Sequence, residues 1–159
     1  MKKFLTAIFL FMILSSTFSQ TENYNSRFFC FRNSWGLCKS FLNTPQNIQI
    51  MASSQYYYIR AAAMLPNTRT IYAVDNVSNI IYLVKIDTLM GEREVIAEVQ
   101  RPVPGSGIWD VSGMAWDRTT SQMFAITYTQ DGFGRLCTIN LTTGQLSVVG
   151  VMPGVGIAT

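Results

Sequence analysis

The chain reads as an all-β protein, a partial (incomplete) β-propeller of four-stranded antiparallel blades preceded by a signal peptide. Three observations predict this. The stretch Ser112–Met152 divides into four short runs rich in Ile, Val, Phe, Tyr and Thr, separated by turn residues. A second stretch, Ala63–Ala97, aligns with Ala115–Gly150 and carries the same pattern. The repeat spacing, in the low forties with four strands per unit, is that of a propeller blade.

The first residues come before the fold. Met1-Lys2-Lys3 is a short positive start, Phe4–Leu14 is an apolar run and Ser15–Gln20 is small and polar. This is the layout of a secretory signal peptide, with Thr17 and Ser19 at −3 and −1 for cleavage before Gln20. An apolar run of about eleven is shorter than the roughly twenty residues a membrane span needs. The expected bounds are 1–19 for the signal peptide, 20–35 for a lead-in strand and 36–159 for the partial propeller. The blades within it fall at about 36–60 (partial), 61–99 and 112–152, with the next starting at 153–159.

Export brings oxidising conditions, so the three cysteines invite a pairing argument. Residues 27–41 read as a hairpin. With its turn centred on Ser34, Cys30 and Cys38 fall opposite each other, within disulfide reach. The alternative is buried thiols behaving as small apolar groups. Cys137, inside an apolar strand, is expected to be packed rather than reactive.

Each repeat element has a local cause. Ile71-Tyr-Ala-Val sits on Met123-Phe-Ala-Ile, and Leu83-Val-Lys-Ile-Asp on Leu136-Cys-Thr-Ile-Asn. Gly91 sits on Gly144, and Val95-Ile-Ala on Val148-Val-Gly; one residue is inserted between the second and third strands. Asp87-Thr-Leu-Met-Gly91 and Asn140-Leu-Thr-Thr-Gly144 place an Asx residue at a strand end and Gly at the close of the turn. There the Asx side chain accepts turn N–H groups and Gly takes a left-handed conformation without strain. Pro66-Asn-Thr-Arg-Thr and Asp117-Arg-Thr-Thr-Ser-Gln are the matching turns one hairpin earlier. The nearly continuous apolar run Ile80-Ile-Tyr-Leu-Val suits a sheet covered on both faces. Gly36-Leu-Cys-Lys-Ser-Phe and Ile48-Gln-Ile-Met-Ala resemble the last two strands of another copy, and Val155-Gly-Ile-Ala repeats Ser112-Gly-Met-Ala.

Gly113-Met-Ala-Trp-Asp, Met123-Phe-Ala, Leu136-Cys-Thr-Ile-Asn and Thr143-Gly144 resemble the repeat of secreted bacterial β-propellers related to the YVTN and quinoprotein-like groups. In those, a Gly-Leu-Ala-Tyr-Asp strand is followed by Leu-Tyr-Ala/Gly, Leu-Tyr-x-Ile-Asp and a Thr-Gly turn. The resemblance covers about residues 36–159 and is strong over 112–152. It implies the fold and carries over no catalytic residue, because the matched positions are strand and turn positions. It also implies large exported parent proteins of gram-negative bacteria, some with peptidase, adhesive or sorting domains. Two whole units and two partial ones do not close a ring of about 4–8 blades. The chain is therefore expected to be the N-terminal part of a longer propeller, with the remaining blades in the parent chain, or else a truncated reading frame.

Composition narrows the function. Of 159 residues, 48% are hydrophobic and 13% charged, which supports a packed core. Formal net charge is +3, falling to about +1 without Lys2 and Lys3, and the basic residues are scattered. That pattern gives no nucleic-acid surface. The chain has no His, which removes His-based triads and His-containing zinc sites. No cofactor, metal or catalytic set is called for. In a four-stranded meander the second-to-third loops and the inter-blade connectors share one end of the blades. The segments assigned there are Asp75–Asn79, Tyr128–Gly134 and Gln100–Val111. Their groups to watch as a ligand face are Arg101, Trp109, Asp110, Tyr128, Asp131 and Arg135. Asp131-Gly132 is read as turn chemistry rather than a calcium ligand, and Tyr56-Tyr-Tyr58 as strand aromatics that could also stack on a sugar. The expected function is a non-catalytic exported binding or scaffold propeller of a cell-surface or secreted protein, with an unknown protein or carbohydrate ligand and no membrane span in the mature chain. The alternative is an accessory or cofactor-bearing propeller of an exported hydrolase or dehydrogenase whose catalytic part lies elsewhere.

Overall fold

A computed structural model describes residues 27–32, 36–52, 58–102, 109–129 and 133–152. The side chains of residues 27, 28, 30, 32, 36, 52, 109 and 129 lie outside the description. The described residues form eleven strands and no helix. They are β1 (Arg27–Arg32), β2 (Gly36–Phe41), β3 (Thr44–Ala52), β4 (Ile59–Met64), β5 (Thr70–Val77), β6 (Ile80–Asp87), β7 (Arg93–Glu98), β8 (Trp109–Asp117), β9 (Gln122–Thr129), β10 (Gly134–Ile139) and β11 (Leu146–Met152).

The strands form three sheets, ordered β1-β2-β3, β4-β5-β6-β7 and β8-β9-β10-β11. In the two four-stranded sheets every neighbour is sequential, and every pair is antiparallel. These are two consecutive blades. Within the first sheet, Leu37, Cys38 and Ser40 are buried, and the Ser40 hydroxyl lies 3.1 Å from the carbonyls of Thr44 and Asn47. The strand drawn within the lead-in is thus one strand of this sheet. The Cys30–Cys38 pairing lies outside the described residues, because the Cys30 side chain does.

The turns follow from their residues. In the first blade, Oδ1 of Asp87 accepts the N–H groups of Leu89 (2.6 Å) and Met90 (2.9 Å), and the N–H of Gly91 reaches the Asp87 carbonyl at 2.8 Å. In the second, Oδ1 of Asn140 accepts from Thr142 (2.8 Å) and Thr143 (3.0 Å), and the N–H of Gly144 reaches the Asn140 carbonyl at 2.9 Å. Gly91 and Gly144 have φ of 72° and 70°, the left-handed region that favours glycine. Ser78 and Asn79 both take positive φ, 52° and 68°, as a tight two-residue hairpin requires.

The repeat extends to its irregularities. Register slips by one residue between Ile59 and Ala61 on β4, and between Val111 and Gly113 on β8. Arg60 and Ser112 are therefore bulge residues at equivalent positions. The outer strands slip likewise: Leu83 faces Ala97 while Val84 faces Val95, and Leu136 faces Gly150 while Cys137 faces Val148. Ile96 and Val149 are the extra residues, again equivalent. Bulges increase twist and bend a strand, so both blades are twisted at the same two places.

The blades meet through one apolar core. Ala61, Val74, Ile81, Leu83 and Val99 come from the first blade's segment, and Val111, Met123, Ala125, Cys137, Ile139 and Leu146 from the second. Tyr72, Met114 and Trp116 pack against it. The first strands of the two blades, β4 and β8, lie side by side. Past β7, the N–H of Gln100 donates to the Gly144 carbonyl at 3.2 Å, and Gln100 pairs in parallel with Gln145. A Cβ on Gly144 would stand 2.7 Å from the Glu98 carbonyl oxygen, so only glycine lets the second blade's turn approach the end of β7.

Candidate functional site

A polar cluster joins the starts of β4 and β8. It begins with Asp75, which is fully buried near the end of β5. Its Oδ2 receives Nη2 of Arg93 at 2.6 Å, and its Oδ1 accepts the Tyr58 N–H at 2.9 Å. A buried carboxylate is tolerable only when paired and hydrogen-bonded in this way. The Tyr58 carbonyl accepts the N–H of Asn76 at 3.1 Å, which extends the β4–β5 ladder to Tyr58. The backbone of Tyr58 is thereby fixed while its ring remains 49% exposed.

Over that ring lies the guanidinium of Arg60, 4.6 Å from the centroid, a distance at which the cation is attracted to the ring face. The same guanidinium reaches across to the second blade, where Nη2 stands 3.0 Å from Oδ2 of Asp110. Both side chains are about one-third exposed, 37% and 33%, so the pair contributes roughly 0–1 kcal/mol to stability. Oδ1 of Asp110 accepts the Val111 N–H at 2.8 Å, which holds the carboxylate at the mouth of β8. In register, Asp110 faces Tyr128 on β9, and Tyr128 faces Gly134 on β10. The surface therefore offers an aromatic face, a cation and a carboxylate on two blades, with the Tyr58 backbone and the Asp110 carboxylate held by backbone hydrogen bonds and Arg60 held between them.

The residues read from the sequence as a ligand face divide. Asp110 and Tyr128 stand together at this end. Arg135 follows on β10, opposite Thr127 and Val151, and is half-buried. Arg101 is exposed and follows Gln100, which is bonded to the Gly144–Gln145 turn at the opposite end of the second blade. The five steps along β10 from Gly134, at the Tyr128 level, to Ile139 put roughly 17 Å between the two ends, at about 3.3 Å per residue. The start of the inter-blade connector lies beside the first blade's own second-to-third turn, as the meander rule expects, since the Val99 N–H donates to the Ile81 carbonyl at 2.7 Å and Glu98 faces Tyr82, but it is apart from the second blade's second-to-third loop. The Trp109 side chain and Asp131 lie outside the described residues. Asp75–Asn79, expected as a variable loop, is strand to Val77 followed by the two-residue turn. Asp75 is buried structure, not loop surface.

Two participants, Arg60 and Arg93, were missed by the sequence reading, and a third, Tyr58, was noted without its partners. Arg60 carries a signal, a lone charge inside the apolar run Ile59–Met64. Tyr58 stood in the noted aromatic triplet. Arg93 had no local signal, because its partner is eighteen residues away.

Cys137 is fully buried, with its Sγ 3.9 Å from the Thr127 hydroxyl, and burial pushes its thiol pKa up against weaker lowering from Thr127 and Arg135, which makes it a poor nucleophile at neutral pH. Among the described residues no group of three or more His, Cys, Asp or Glu is placed to hold a metal ion. No helix among them is long and apolar enough to cross a membrane.

Comparison with solved structures gives the fold its context. A chain of the nidogen/laminin complex matches with a TM-score of 0.54 at 14% identity, over 79% of this chain and 44% of that one. TolB from Acinetobacter baumannii matches with a TM-score of 0.52 at 17% identity, over 80% of this chain and 31% of that one. This chain is a β-propeller by fold. It spans less than half the length of either neighbour. No protein-family model matches the sequence, and no curated protein matches it.

Proposed function

We propose that the chain supplies blades to an exported, non-catalytic binding or scaffold propeller, the N-terminal part of a larger cell-surface or secreted protein. The observation that carries this reading is the Tyr58–Arg60–Asp110 cluster. It spans two blades, its Tyr58 backbone is tied to the buried Asp75 that pairs with Arg93, and it displays hydrogen-bonding and stacking groups. Fixed polar and aromatic groups at one end of a regular scaffold are the form of a recognition surface. The propeller-like neighbour crystallised in a nidogen/laminin complex supports a protein partner. The Met1–Gln20 layout supports export.

Two assays test the proposal. A fusion of residues 1–20 to a phosphatase that is active only outside the cytoplasm should give activity; a fusion that stays inactive would contradict export. The purified mature chain should bind saturably to at least one of a panel of immobilised cell-wall polysaccharides and extracellular matrix proteins. Arg60→Ala should weaken binding at the cluster, and chromogenic ester, glycoside and dye-linked dehydrogenase assays should stay at the blank. Turnover above the blank, or no saturable binding, would contradict the reading.

A further inference from the structure

The two blades agree in their frame and differ in the side chains around one cleft. Between the β8–β9 turn and the β10–β11 turn, the second blade holds a cleft of about 430 Å³. Its wall includes Trp116, Gln122, Thr138, Asn140, Gln145 and Ser147. Trp116 also borders a second cleft of about 260 Å³, with Leu65, Pro66, Asn67 and Arg118. The indole therefore stands between two open spaces, anchored by packing on the inter-blade core.

The equivalent positions of the first blade are different in kind. Alignment of the repeats puts Met64 at the place of Trp116. Arg69, Lys85, Asp87, Glu92 and Glu94 stand at the places of Ser121, Thr138, Asn140, Gln145 and Ser147. Register confirms the central pair: Lys85 faces Glu94 in one blade, and Thr138 faces Ser147 in the other. In the first blade that pair is an ion pair of 2.7 Å. In the second, two short hydroxyl side chains leave the space open. Every one of these five charges is neutral in the second blade, while the framing positions keep their character: Ile71 and Met123, Ile86 and Ile139, Gly91 and Gly144.

We propose that the Trp116 cleft is a binding site for a neutral carbohydrate. An indole face offers a flat apolar platform. Amides and hydroxyls both donate and accept, which matches a ligand whose every polar group is a hydroxyl. The Oδ1 of Asn140 is committed to the N–H groups of Thr142 and Thr143, which leaves its amide N–H groups as donors. The absence of charge among the five exchanged positions disfavours anionic sugars and phosphates. A cleft of this size accommodates one or two sugar rings, within the usual range for small-ligand pockets. The inference rests on the binding-module reading but on different residues from the Arg60–Asp110 cluster.

The test is isothermal titration of the mature chain with neutral cello-, chito-, malto- and xylo-oligosaccharides, and with an oligogalacturonate as the anionic probe. Saturable binding of at least one neutral probe is expected. Trp116→Ala should weaken it roughly tenfold or more, and Trp116→Phe should restore part of it. The double variant Thr138→Lys with Ser147→Glu installs the ion pair of the first blade. It should fold, judged by an unchanged melting transition, and lose binding. No neutral binding, binding of the anionic probe alone, or neutral binding unchanged in the refolded-competent double variant would overturn the assignment. Neutral binding lost in Arg60→Ala but kept in the double variant would overturn it while leaving the binding-module reading in place.

Discussion

At the scale of single residues, two positions decide how the blades are held. Asp75 is fully buried and its carboxylate has two partners, Arg93 and the Tyr58 N–H. Asp75→Ala removes the buried carboxylate that Arg93 pairs with and releases the start of β4. Chemical denaturation should show a loss of about 3–5 kcal/mol, and the Tyr58–Arg60 surface should lose its order with it. Glycine gives a paired comparison. Gly144→Ala meets both a left-handed φ and a carbonyl at 2.7 Å, whereas a Cβ on Gly150 meets nothing within 4 Å. The first substitution should cost about 1–2 kcal/mol for the backbone alone, plus the displacement of β7. The second, on the same blade, should stay within about 0.5 kcal/mol. Equal effects would show that the turn does not press on the first blade. Cys137 is a third residue-scale case: maleimide should label it only after unfolding, since it is buried and its thiol is held protonated.

At the scale of elements, the turns titrate. The Asp87 carboxyl is held below its usual range by the N–H groups of Met90 and Leu89, and Asp117 by the Thr120 hydroxyl and the Thr119 N–H. In both, the folded-state pKa lies below the unfolded one. Their contribution is therefore complete above the unfolded value, about 3.9, and drains away as pH falls through the lower folded value. Stability should decline on acidification below about pH 4. Asp87→Asn copies the turn that the second blade already uses at Asn140, with an acceptor that does not titrate, so its melting temperature should fall less steeply with acid than that of the parent. A decline of equal slope would place the acid sensitivity elsewhere. These turns were legible in the sequence because Asx and Gly act within five residues. The bulges at Arg60, Ser112, Ile96 and Val149 were not legible, since a register slip is a relation between two strands and leaves no local mark. Asp75 was read as the start of a loop because Asp-Asn-Val-Ser-Asn is turn-rich in composition. Its burial and its pairing with Arg93 override that composition and extend β5 to Val77.

For the molecule as a whole, the repeat made the architecture readable. Aligned strands, turns at matched positions and continuous apolar runs predicted four-stranded sheets covered on both faces; the two blades share one core, and on the second blade Phe124, Ile126 and Leu136 line an open cleft and are only half-buried. The candidate surface was legible only in part. Asp110 and Tyr128 stand together, but the partner of Asp110, Arg60, lies fifty residues earlier on the other blade, a distance no local pattern spans. Arg101 stands apart from Asp110 and Tyr128 because the end of β7 lies beside its own blade's second-to-third turn and the next blade's Gly144–Gln145 turn, a contact between blades that sequence spacing does not encode. The central claim is that consecutive repeats pack as adjoining propeller blades. A nuclear Overhauser spectrum of the mature chain tests it most directly, between the Ala97 methyl group on the first blade and the Gly144 α-protons on the second. The Cβ of Ala97 lies 3.4 Å from the place a Cβ on Gly144 would take, so a strong cross-peak is expected. Absence of that peak, with the cross-strand peaks inside each sheet intact, would mean that the two sheets fold separately and would contradict the account.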